Sequence, residues 1–335
     1  MKNISFIGCG SWGGALSKVL SDKKINSTMW HRNSSIIKKM EESRVHYLVP
    51  ELIFSENVSF TNNLEHLIKK ASIIVLAIPS QSIRSVLEPQ KKLINSNQII
   101  VNLAKGIETN SLLTISGVLK DILGDDFKNI VALSGPSHAE EVILGHPTTL
   151  VSASESQESA EIIQKLFSNH TLRTYKSNDI LGVELGGAMK NVIAIAAGIC
   201  DGIGYGDNSK AALLTRGMGE ISKLGRAMGA EPSTFQGLSG FGDLIVTCLS
   251  KHSRNRSVGQ AIGEGKSLQK VLNEMSMVAE GVLSAKSIHR LRIEHDVEMP
   301  IHEAIYNVLF KNVNPKECVQ KLMTRTLTDE HRNIT

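Results

Sequence analysis

The chain begins with a short apolar run that leads directly into a glycine-rich segment. Ile4–Ile7 has the composition of a strand, residues 8–13 read GCGSWG, a complete G-x-G-x-x-G, and a helix is expected at Ala15–Leu20. In such a unit the first glycine allows a tight turn, the second lets the backbone approach a pyrophosphate, and the third lets the helix pack on the strand. This context predicts dinucleotide binding, and a glycine-rich turn without a ligand is the alternative.

The first half of the chain alternates strand-like runs with helical or polar stretches. Runs rich in Ile, Val and Thr predict strands at Ile4–Ile7, Ser27–Trp30, Ser72–Ile78, Gln98–Leu103, Asn129–Leu133, Thr148–Ser152 and Leu172–Tyr175. Ile73–Ile78 is continuously apolar, which is typical of a strand buried on both faces of a parallel sheet. The pattern predicts a Rossmann-type α/β domain, with a doubly wound parallel sheet, over residues 1–178.

Beyond residue 178 the sequence is mostly helical in pattern. Ala211–Met228 and Ser267–Met275 are predicted helices, whereas Leu244–Val246 suits either a short strand or the start of a helix. An all-helical domain is therefore expected over residues 179–335, and a chain of 335 residues is long enough for two domains.

One segment of this second half, residues 184–200, combines helical length with many Gly and Ala residues, which suits a buried helix. Lys190 lies in its middle. Burial would lower the pKa of this lysine and suit it to acid–base chemistry near neutral pH. The alternative is that its ammonium group reaches the surface along an apolar stem.

Composition narrows the function classes. The net charge is +4, the lysine pairs are dispersed and aromatic residues make up 4%, so no nucleic-acid partner is expected. The four cysteines are far apart and form no C-x-x-C, which favours a reduced, cytoplasmic protein. No signal peptide is visible, and the longest uninterrupted apolar segment, Val192–Cys200, is too short to insert into a membrane. The eleven histidines show no recognisable ligand spacing, so no metal site is expected.

The end of the second predicted strand indicates which dinucleotide binds. NAD sites usually carry an acidic residue about 20 residues beyond the glycine motif, but here the strand ends in Trp30-His31-Arg32-Asn33. An arginine can pair with a 2′-phosphate through charge-assisted hydrogen bonds. NADPH/NADP is therefore expected to be preferred to NADH/NAD, and a surface arginine without a ligand is the alternative. Three later loops follow predicted strands, at residues 78–80, 104–107 and 134–137, and Lys105 is the only basic residue in them. Lys105 is therefore a candidate for binding an anionic or carbonyl substrate.

A series of ordered motifs makes the chain similar to one family over nearly its whole length. The motifs are Gly8-x-Gly10-Ser11-Trp12-Gly13-Gly14-Ala15, Asn102-x-x-Lys105-Gly106, Ser134-Gly135-Pro136-Ser137, Leu185-x-x-Ala188-x-Lys190-Asn191-Val192, Gly206-Asp207-Asn208-x-Lys210-Ala211-Ala212-Leu213-x-Thr215-Arg216-Gly217, Gly240-x-Gly242-Asp243-Leu244, Thr247-Cys248, Ser253-Arg254-Asn255-Arg256 and Val278-Ala279-Glu280-Gly281. With these motifs the chain resembles the bacterial-type NAD(P)-dependent glycerol-3-phosphate dehydrogenases. His138 departs from the pattern, because the family usually has Phe there, and the local packing is expected to differ.

The resemblance implies reversible reduction of dihydroxyacetone phosphate to sn-glycerol 3-phosphate, a precursor of phospholipids. It makes Lys190 the catalytic residue, which accepts the proton when glycerol 3-phosphate is oxidised. The implied substrate-binding residues are Lys105, Gly135, Ser137, Lys190, Asp243, Ser253, Arg254 and Asn255. Together with the motif glycines Gly8, Gly10 and Gly13, the implied cofactor-binding residues are Ser11, Trp12, His31, Arg32, Lys105, Ala139, Arg254, Val278 and Glu280.

Elementary chemistry supports this division of roles. Ser253-Arg254-Asn255 offers a hydroxyl, a guanidinium and an amide to a phosphate within three residues; without the resemblance it would be interpreted as a solvated loop. Two other functions are weighed against this one. Another β-hydroxyacid-type dehydrogenase would share the two-domain plan, and a non-catalytic NADPH-sensing regulator should lack the set formed by Lys105, Lys190 and Asp243. Buried Gly/Ala helices are compatible with a homodimer.

Overall fold

The computed structural model describes residues 3–275 and 279–330, and the chain divides into two compact units. The first comprises residues 1–104 and 115–180, and the second comprises residues 105–114 and 181–335. The segment 105–114 belongs to the second unit because Ile107 and Leu112 are buried in its hydrophobic core, where Ser287 Oγ donates to the Ile107 carbonyl oxygen at 3.3 Å. A single boundary near residue 178 does not account for this segment.

The first unit is built on one eight-stranded sheet of order β3-β2-β1-β4-β5-β6-β7-β8. The strands are Ile4–Ile7 (β1), Ser27–Trp30 (β2), Val58–Thr61 (β3), Ile73–Leu76 (β4), Ile99–Asn102 (β5), Ile130–Ser134 (β6), Thr148–Ala153 (β7) and Leu172–Ser177 (β8). Neighbouring strands are parallel except β6 and β7, which pair antiparallel, so the sheet is mostly parallel as expected. The sequence pattern missed β3, a short edge strand that alternates buried and exposed residues.

Helices cover this sheet. They are Ser11–Asp22 (α1), Ser34–Ser43 (α2), Leu64–Lys70 (α3), Ile83–Leu87 (α4), Ile115–Leu123 (α5), Ala139–Ile143 (α6) and Gln157–Phe167 (α7), with 3₁₀ turns at Ser80–Ser82 and Glu88–Leu93. The strand order reverses between β1 and β4, and right-handed crossovers that run in opposite directions place their helices on opposite faces of the sheet. The doubly wound architecture is therefore confirmed, with its switch point at the carboxyl ends of β1 and β4.

The second unit is helical in its described part. Its helices are Ile180–Ile203 (α8), Asp207–Ala227 (α9), Pro232–Gln236 (α10), Asp243–Leu249 (α11), Arg254–Gly263 (α12), Leu268–Glu274 (α13), Glu280–Glu294 (α14), Pro300–Lys311 (α15) and Pro315–Met323 (α16), and a π-helical turn at Leu238–Gly242 precedes α11. Leu244–Val246 lies inside α11, so the helical alternative for this segment is correct.

The central helix α8 forms the core of the second unit. By length and composition it is the one helix in the described residues that could cross a membrane, but 94% of its most apolar window is buried inside the protein. Its apolar character is therefore explained by packing in the core. The apolar run Val192–Cys200 is only part of this helix, because Asn191 precedes it and Asp201 follows it.

Glycines bring α8 and α12 unusually close together. A Cβ added at Gly198 would lie 1.9 Å from the Arg256 carbonyl oxygen, and one added at Gly259 would lie 1.9 Å from the Ile195 carbonyl oxygen. Gly202 and Gly263, one turn further along each helix, make similar approaches to the facing backbone. The two backbones therefore touch where four glycines interlock, and this contact fixes α12 against the helix that carries Lys190.

Candidate active site

Three charged side chains of the second unit form one ion-paired cluster. Lys190 Nζ lies 2.8 Å from Asp243 Oδ1, and Lys105 Nζ lies 2.7 Å from Asp243 Oδ2. Asp243 is 1% exposed and Lys190 is 5% exposed, whereas 17% of the Lys105 side chain remains accessible. One carboxylate thus bridges two ammonium groups, and the cluster keeps a net positive charge next to solvent.

Each member of the cluster is held by its own element. Lys190 projects from α8, and Asp243 is the first residue of α11, directly after the π-helical turn. Lys105 lies in the loop after β5, where Asn191 Nδ2 donates to its carbonyl oxygen at 3.1 Å. Lys190 also donates to Thr247 Oγ1 at 2.5 Å, and Thr247 Oγ1 donates to the Asp243 carbonyl oxygen at 2.6 Å. Asp243 and Thr247 are four residues apart on one helix and therefore lie on the same face of it, so both accept hydrogen bonds from the Lys190 ammonium group.

The surroundings of these groups shift their pKa values in directions that suit proton transfer. Burial lowers the pKa of Lys190 to about 8; the Asp243 carboxylate opposes this shift and the Lys105 ammonium adds to it. Burial by itself would raise the pKa of Asp243, but the two ammonium groups outweigh it and leave that pKa below its ordinary value. Asp243 is therefore an anion at neutral pH, and Lys190 is a weak acid poised near pH 8.

A second group of predicted residues lies at the start of α12. Ser253 is buried and caps this helix, with its Oγ accepting from Arg256 N at 3.2 Å, while Arg254 is exposed. Asn255 Oδ1 accepts from Gly281 N at 2.9 Å, which places Asn255 beside Glu280 at the start of α14. A Cβ at Gly281 would lie 2.6 Å from the Asn191 carbonyl oxygen, so this group borders the helix turn that carries Lys190.

The glycine-rich turn lies in the first unit at the carboxyl end of β1. Gly8 has φ +109°, and a Cβ there would lie 2.5 Å from the Ala77 carbonyl oxygen, so only glycine fits. Gly8 N donates to the Trp30 carbonyl oxygen at 3.0 Å, and α1 begins three residues later without a side-chain cap. A Cβ at Gly13 would lie 2.7 Å from Ala77 Cβ, which explains the third glycine by helix–strand packing.

These features fit a dinucleotide. The backbone N–H groups of an uncapped helix N-terminus are a general binding site for a pyrophosphate, and small residues keep the approach open. Trp12 Nε1 is buried with no hydrogen-bond partner in the described protein, so a donor remains available on the first turn of α1. The residues that could offer donors to the pyrophosphate are therefore Gly10, Ser11 and Trp12, while Gly8 and Gly13 shape the turn.

The remaining predicted positions of the first unit lie at the ends of parallel strands. Trp30 pairs with Ile7 in the β1–β2 register, so His31 and Arg32 follow the strand next to the glycine-rich turn. Arg32 is exposed, and burial lowers the pKa of the His31 imidazole. No acidic side chain occurs between Trp30 and Asn33.

The loop after β6 holds three further predicted positions. Ser137 Oγ donates to the Gly135 carbonyl oxygen at 2.8 Å, and the buried Ala139 opens α6, whose preceding residue is the half-buried His138. Gly135, Ser137 and Ala139 belong to the first unit, whereas Lys105, Arg254 and Glu280 belong to the second. Val278 lies outside the described residues.

Sequence reasoning did not assign a role to three residues of this machinery. Thr247 could have been found by its i, i+4 spacing from Asp243, and Asn191 by its place next to Lys190. His46 carried no local signal: its Nε2 contacts the carbonyl oxygen of Cys9 in the glycine-rich turn, 37 residues earlier in the chain. In the described ranges, no group of three or more His, Cys, Asp or Glu side chains could hold a metal ion.

Comparison with known proteins places the whole chain in one family. The family described as NAD-dependent glycerol-3-phosphate dehydrogenase matches it twice, with the N-terminal part over residues 3–160 and the C-terminal part over residues 179–320. The chain is 46% identical over 337 residues to a glycerol-3-phosphate dehydrogenase (NAD(P)+) of Bacillus subtilis, covering 100% of this chain and 97% of that protein. It is 47% identical over 326 residues to the enzyme of the same name from Fusobacterium nucleatum, covering 97% of each.

A solved structure agrees with the sequence matches. The crystal structure of glycerol-3-phosphate dehydrogenase from Coxiella burnetii superposes with a TM-score of 0.92 at 32% identity, covering 97% of this chain and 99% of that one. The resemblance seen in the motifs is thereby confirmed over both halves of the chain. The chain belongs to the NAD-dependent glycerol-3-phosphate dehydrogenase family.

Proposed function

We infer that the protein is an NAD(P)H-dependent oxidoreductase that reduces dihydroxyacetone phosphate to sn-glycerol 3-phosphate. The observation that carries the assignment is the buried cluster in which Asp243 bridges Lys190 and Lys105. Reduction of a ketone needs a proton donor and a positive charge at the carbonyl oxygen, and this cluster offers both.

The nicotinamide cofactor, when bound, supplies the hydride. Lys190 acts as the general acid. Its lowered pKa of about 8 leaves it protonated at pH 7 and makes it a stronger acid than an ordinary lysine, so it can donate the proton to an alkoxide. Asp243 holds the lysine in place through a hydrogen bond and a charge that does not itself titrate near neutral pH. The more exposed Lys105 stabilises the negative charge that develops on the oxygen.

The substrate phosphate is assigned to the start of α12. Arg254 presents an exposed guanidinium there, and Ser253 and Asn255 are fixed by bonds to backbone N–H groups. A phosphate is well served by such a charged, partly preorganised set of donors at a helix N-terminus. Gly135 and Ser137, in the loop after β6, are also assigned to substrate binding.

The cofactor assignment includes a preference for NADPH over NADH. Its support is the exposed Arg32 at the end of β2 and the absence of an acidic residue between Trp30 and Asn33. The remaining cofactor contacts are assigned to His31, Lys105, Ala139, Arg254, Val278 and Glu280. A double variant, His31→Asp with Arg32→Ser, should reverse the ratio of the NADPH and NADH dissociation constants. An unchanged ratio would remove the basis for this preference.

The protein is proposed to work as a cytoplasmic homodimer that is not inserted in a membrane. Burial of α8 in the core supports the last point. The homodimer rests on Phe241, Ile245 and Leu249, which are 37%, 36% and 54% exposed at a spacing of four residues. The glycines of α8 do not support a homodimer, because they pack against α12 of the same chain. Light scattering should give twice the 36.5 kDa of one chain.

The experiment that tests the function measures initial rates of dihydroxyacetone phosphate reduction with NADPH and with NADH. Turnover is expected with both cofactors, with the higher kcat/KM for NADPH. A β-hydroxyacid substrate turned over in preference to dihydroxyacetone phosphate would replace the substrate assignment. NADPH binding without any turnover would favour a sensing role, although the ion-paired lysines argue against one.

A further inference from the structure

We propose that His46 is a positioning residue for the cofactor, because its imidazole sets the orientation of the peptide bond between Cys9 and Gly10 in the glycine-rich turn. This inference rests on the proposed dinucleotide-binding role of that turn. His46 lies in the loop between α2 and β3, outside every motif of the sequence, and is 1% exposed.

The hydrogen bonds of the His46 ring go to backbone groups. Nδ1 lies 3.1 Å from both Leu48 N and Val49 N, and these amides can only donate to it. Nε2 lies 2.9 Å from the Cys9 carbonyl oxygen, which can only accept. The ring is therefore neutral and carries its proton on Nε2, since a proton on Nδ1 would break two bonds. Burial lowers the pKa of His46, which acts in the same direction.

The hydrogen bond from His46 to Cys9 determines the direction of the Gly10 N–H in the glycine-rich turn. The carbonyl of Cys9 and the N–H of Gly10 belong to one trans peptide plane, in which the two groups point in opposite directions. When His46 holds the Cys9 oxygen on its own side, the Gly10 N–H faces away from it. Backbone N–H groups of such a turn are what a pyrophosphate binds, so the ring determines where one of these donors points.

The fit of the ring explains a fourth glycine in the motif. A Cβ at Gly14 would lie 3.0 Å from His46 Cδ2 and 2.7 Å from Leu52 Cδ2, so a side chain there would displace the loop that carries the histidine. The ring also stacks on Tyr47, with centroids 5.1 Å apart, and packs against Phe54, with centroids 5.9 Å apart. The imidazole is thus fixed by packing as well as by hydrogen bonds.

Two substitutions separate the bond to the turn from the bonds within the loop. His46→Asn keeps an acceptor near the Nδ1 position and loses the donor that reaches Cys9, whereas His46→Gln keeps a donor near the Nε2 position and loses the acceptor. The dissociation constant of NADPH, measured by fluorescence titration on the protein without substrate, should rise about three- to tenfold in His46→Asn. It should stay near the wild-type value in His46→Gln, and the KM of dihydroxyacetone phosphate should stay unchanged in both.

Melting temperatures of the variants distinguish a general loss of stability from a specific effect on the glycine-rich turn. His46→Gln should melt at least as early as His46→Asn, the opposite order to their NADPH affinities, and His66→Asn on the exposed face of α3 serves as the control. Affinities that follow the melting temperatures, or an Asn variant that binds as wild type, overturn the proposal. A wild-type protein that binds no NADPH would instead overturn the proposed function.

If the His46→Asn variant does not fold, the proposal is tested on the His46 ring of the wild-type protein. Nitrogen-15 spectra of the histidines at pH 7 should show His46 as the neutral form protonated on Nε2, and its Nε2 resonance should shift when NADPH is added. A ring protonated on Nδ1, or an Nε2 resonance unmoved at saturating NADPH, refutes the positioning role.

Discussion

The contact between α8 and α12 makes a sharp prediction for Gly198→Ala. The new methyl carbon would lie 1.9 Å from the Arg256 carbonyl oxygen and 2.7 Å from Gln260 N. Ordinary contact between heavy atoms needs about 3.5 Å, so the two helices must separate by roughly 1.5 Å. Both atoms belong to the α12 backbone, which cannot rotate out of the way as a side chain could.

The expected cost follows from two opposing effects. Overpacking of a well-packed core costs about 1–3 kcal/mol and occasionally more, whereas alanine gains up to about 1 kcal/mol over glycine in a helix. Because a 1.9 Å approach to backbone belongs at the upper end of the overpacking range, we expect a net loss of about 2 kcal/mol in the free energy of unfolding. The shift of α12 also moves Ser253, Arg254 and Asn255, so the KM of dihydroxyacetone phosphate should rise.

Gly219→Ala provides the matched control for this variant. Gly219 lies within α9, and a Cβ there meets nothing within 4 Å, so the substitution should leave the protein equally stable or stabilise it by up to about 1 kcal/mol. Urea unfolding followed by circular dichroism measures both variants. A Gly198→Ala protein as stable as Gly219→Ala would refute the view that the two backbones need glycine to touch.

Three further predictions concern the cluster and the first unit. Because the pKa of Lys190 is about 8, the rate of reduction should fall and that of glycerol 3-phosphate oxidation should rise as the pH increases through 8; parallel profiles in initial-rate assays would contradict this. Thr247→Val removes an acceptor from the Lys190 ammonium, so the alkaline limb of the reduction profile should move about one pH unit lower, and an unmoved limb would exclude a role for this bond. Lys23→Met removes three bonds to carbonyl oxygens at the end of α7 and should cost about 1–3 kcal/mol in urea unfolding, whereas the exposed Lys24→Met should cost little.

The architecture of the first unit could be predicted where local sequence decides it. Ile73–Leu76 is apolar at every position because it is covered on both faces, and the glycines of residues 8–13 follow a strand as a dinucleotide-binding turn requires. The edge strand Val58–Thr61 has only half of its residues buried, so its composition does not stand out. The antiparallel pairing of β6 and β7 depends on how a loop returns to the sheet, which no residue type specifies.

The candidate site shows the same division between local and tertiary information. The sequence indicates a functional role for Lys190 because a lysine is unusual in an apolar helix. Thr247 can be found by its helical spacing from Asp243. By contrast, 53 residues separate Lys190 from Asp243, and 86 separate Asn191 from Lys105. Such pairs are made by packing, so motifs can name these residues but cannot state which atoms meet.

The most direct test of the account is the kcat of Lys190→Ala for dihydroxyacetone phosphate reduction, measured beside its dissociation constant for NADPH. Loss of a general acid should lower kcat by about 10²- to 10⁴-fold, while NADPH binding, which is assigned to other residues, should remain within about twofold of wild type. A variant that binds NADPH normally and keeps a kcat close to wild type would show that the proton comes from elsewhere, and the role assigned to the buried lysine would be wrong.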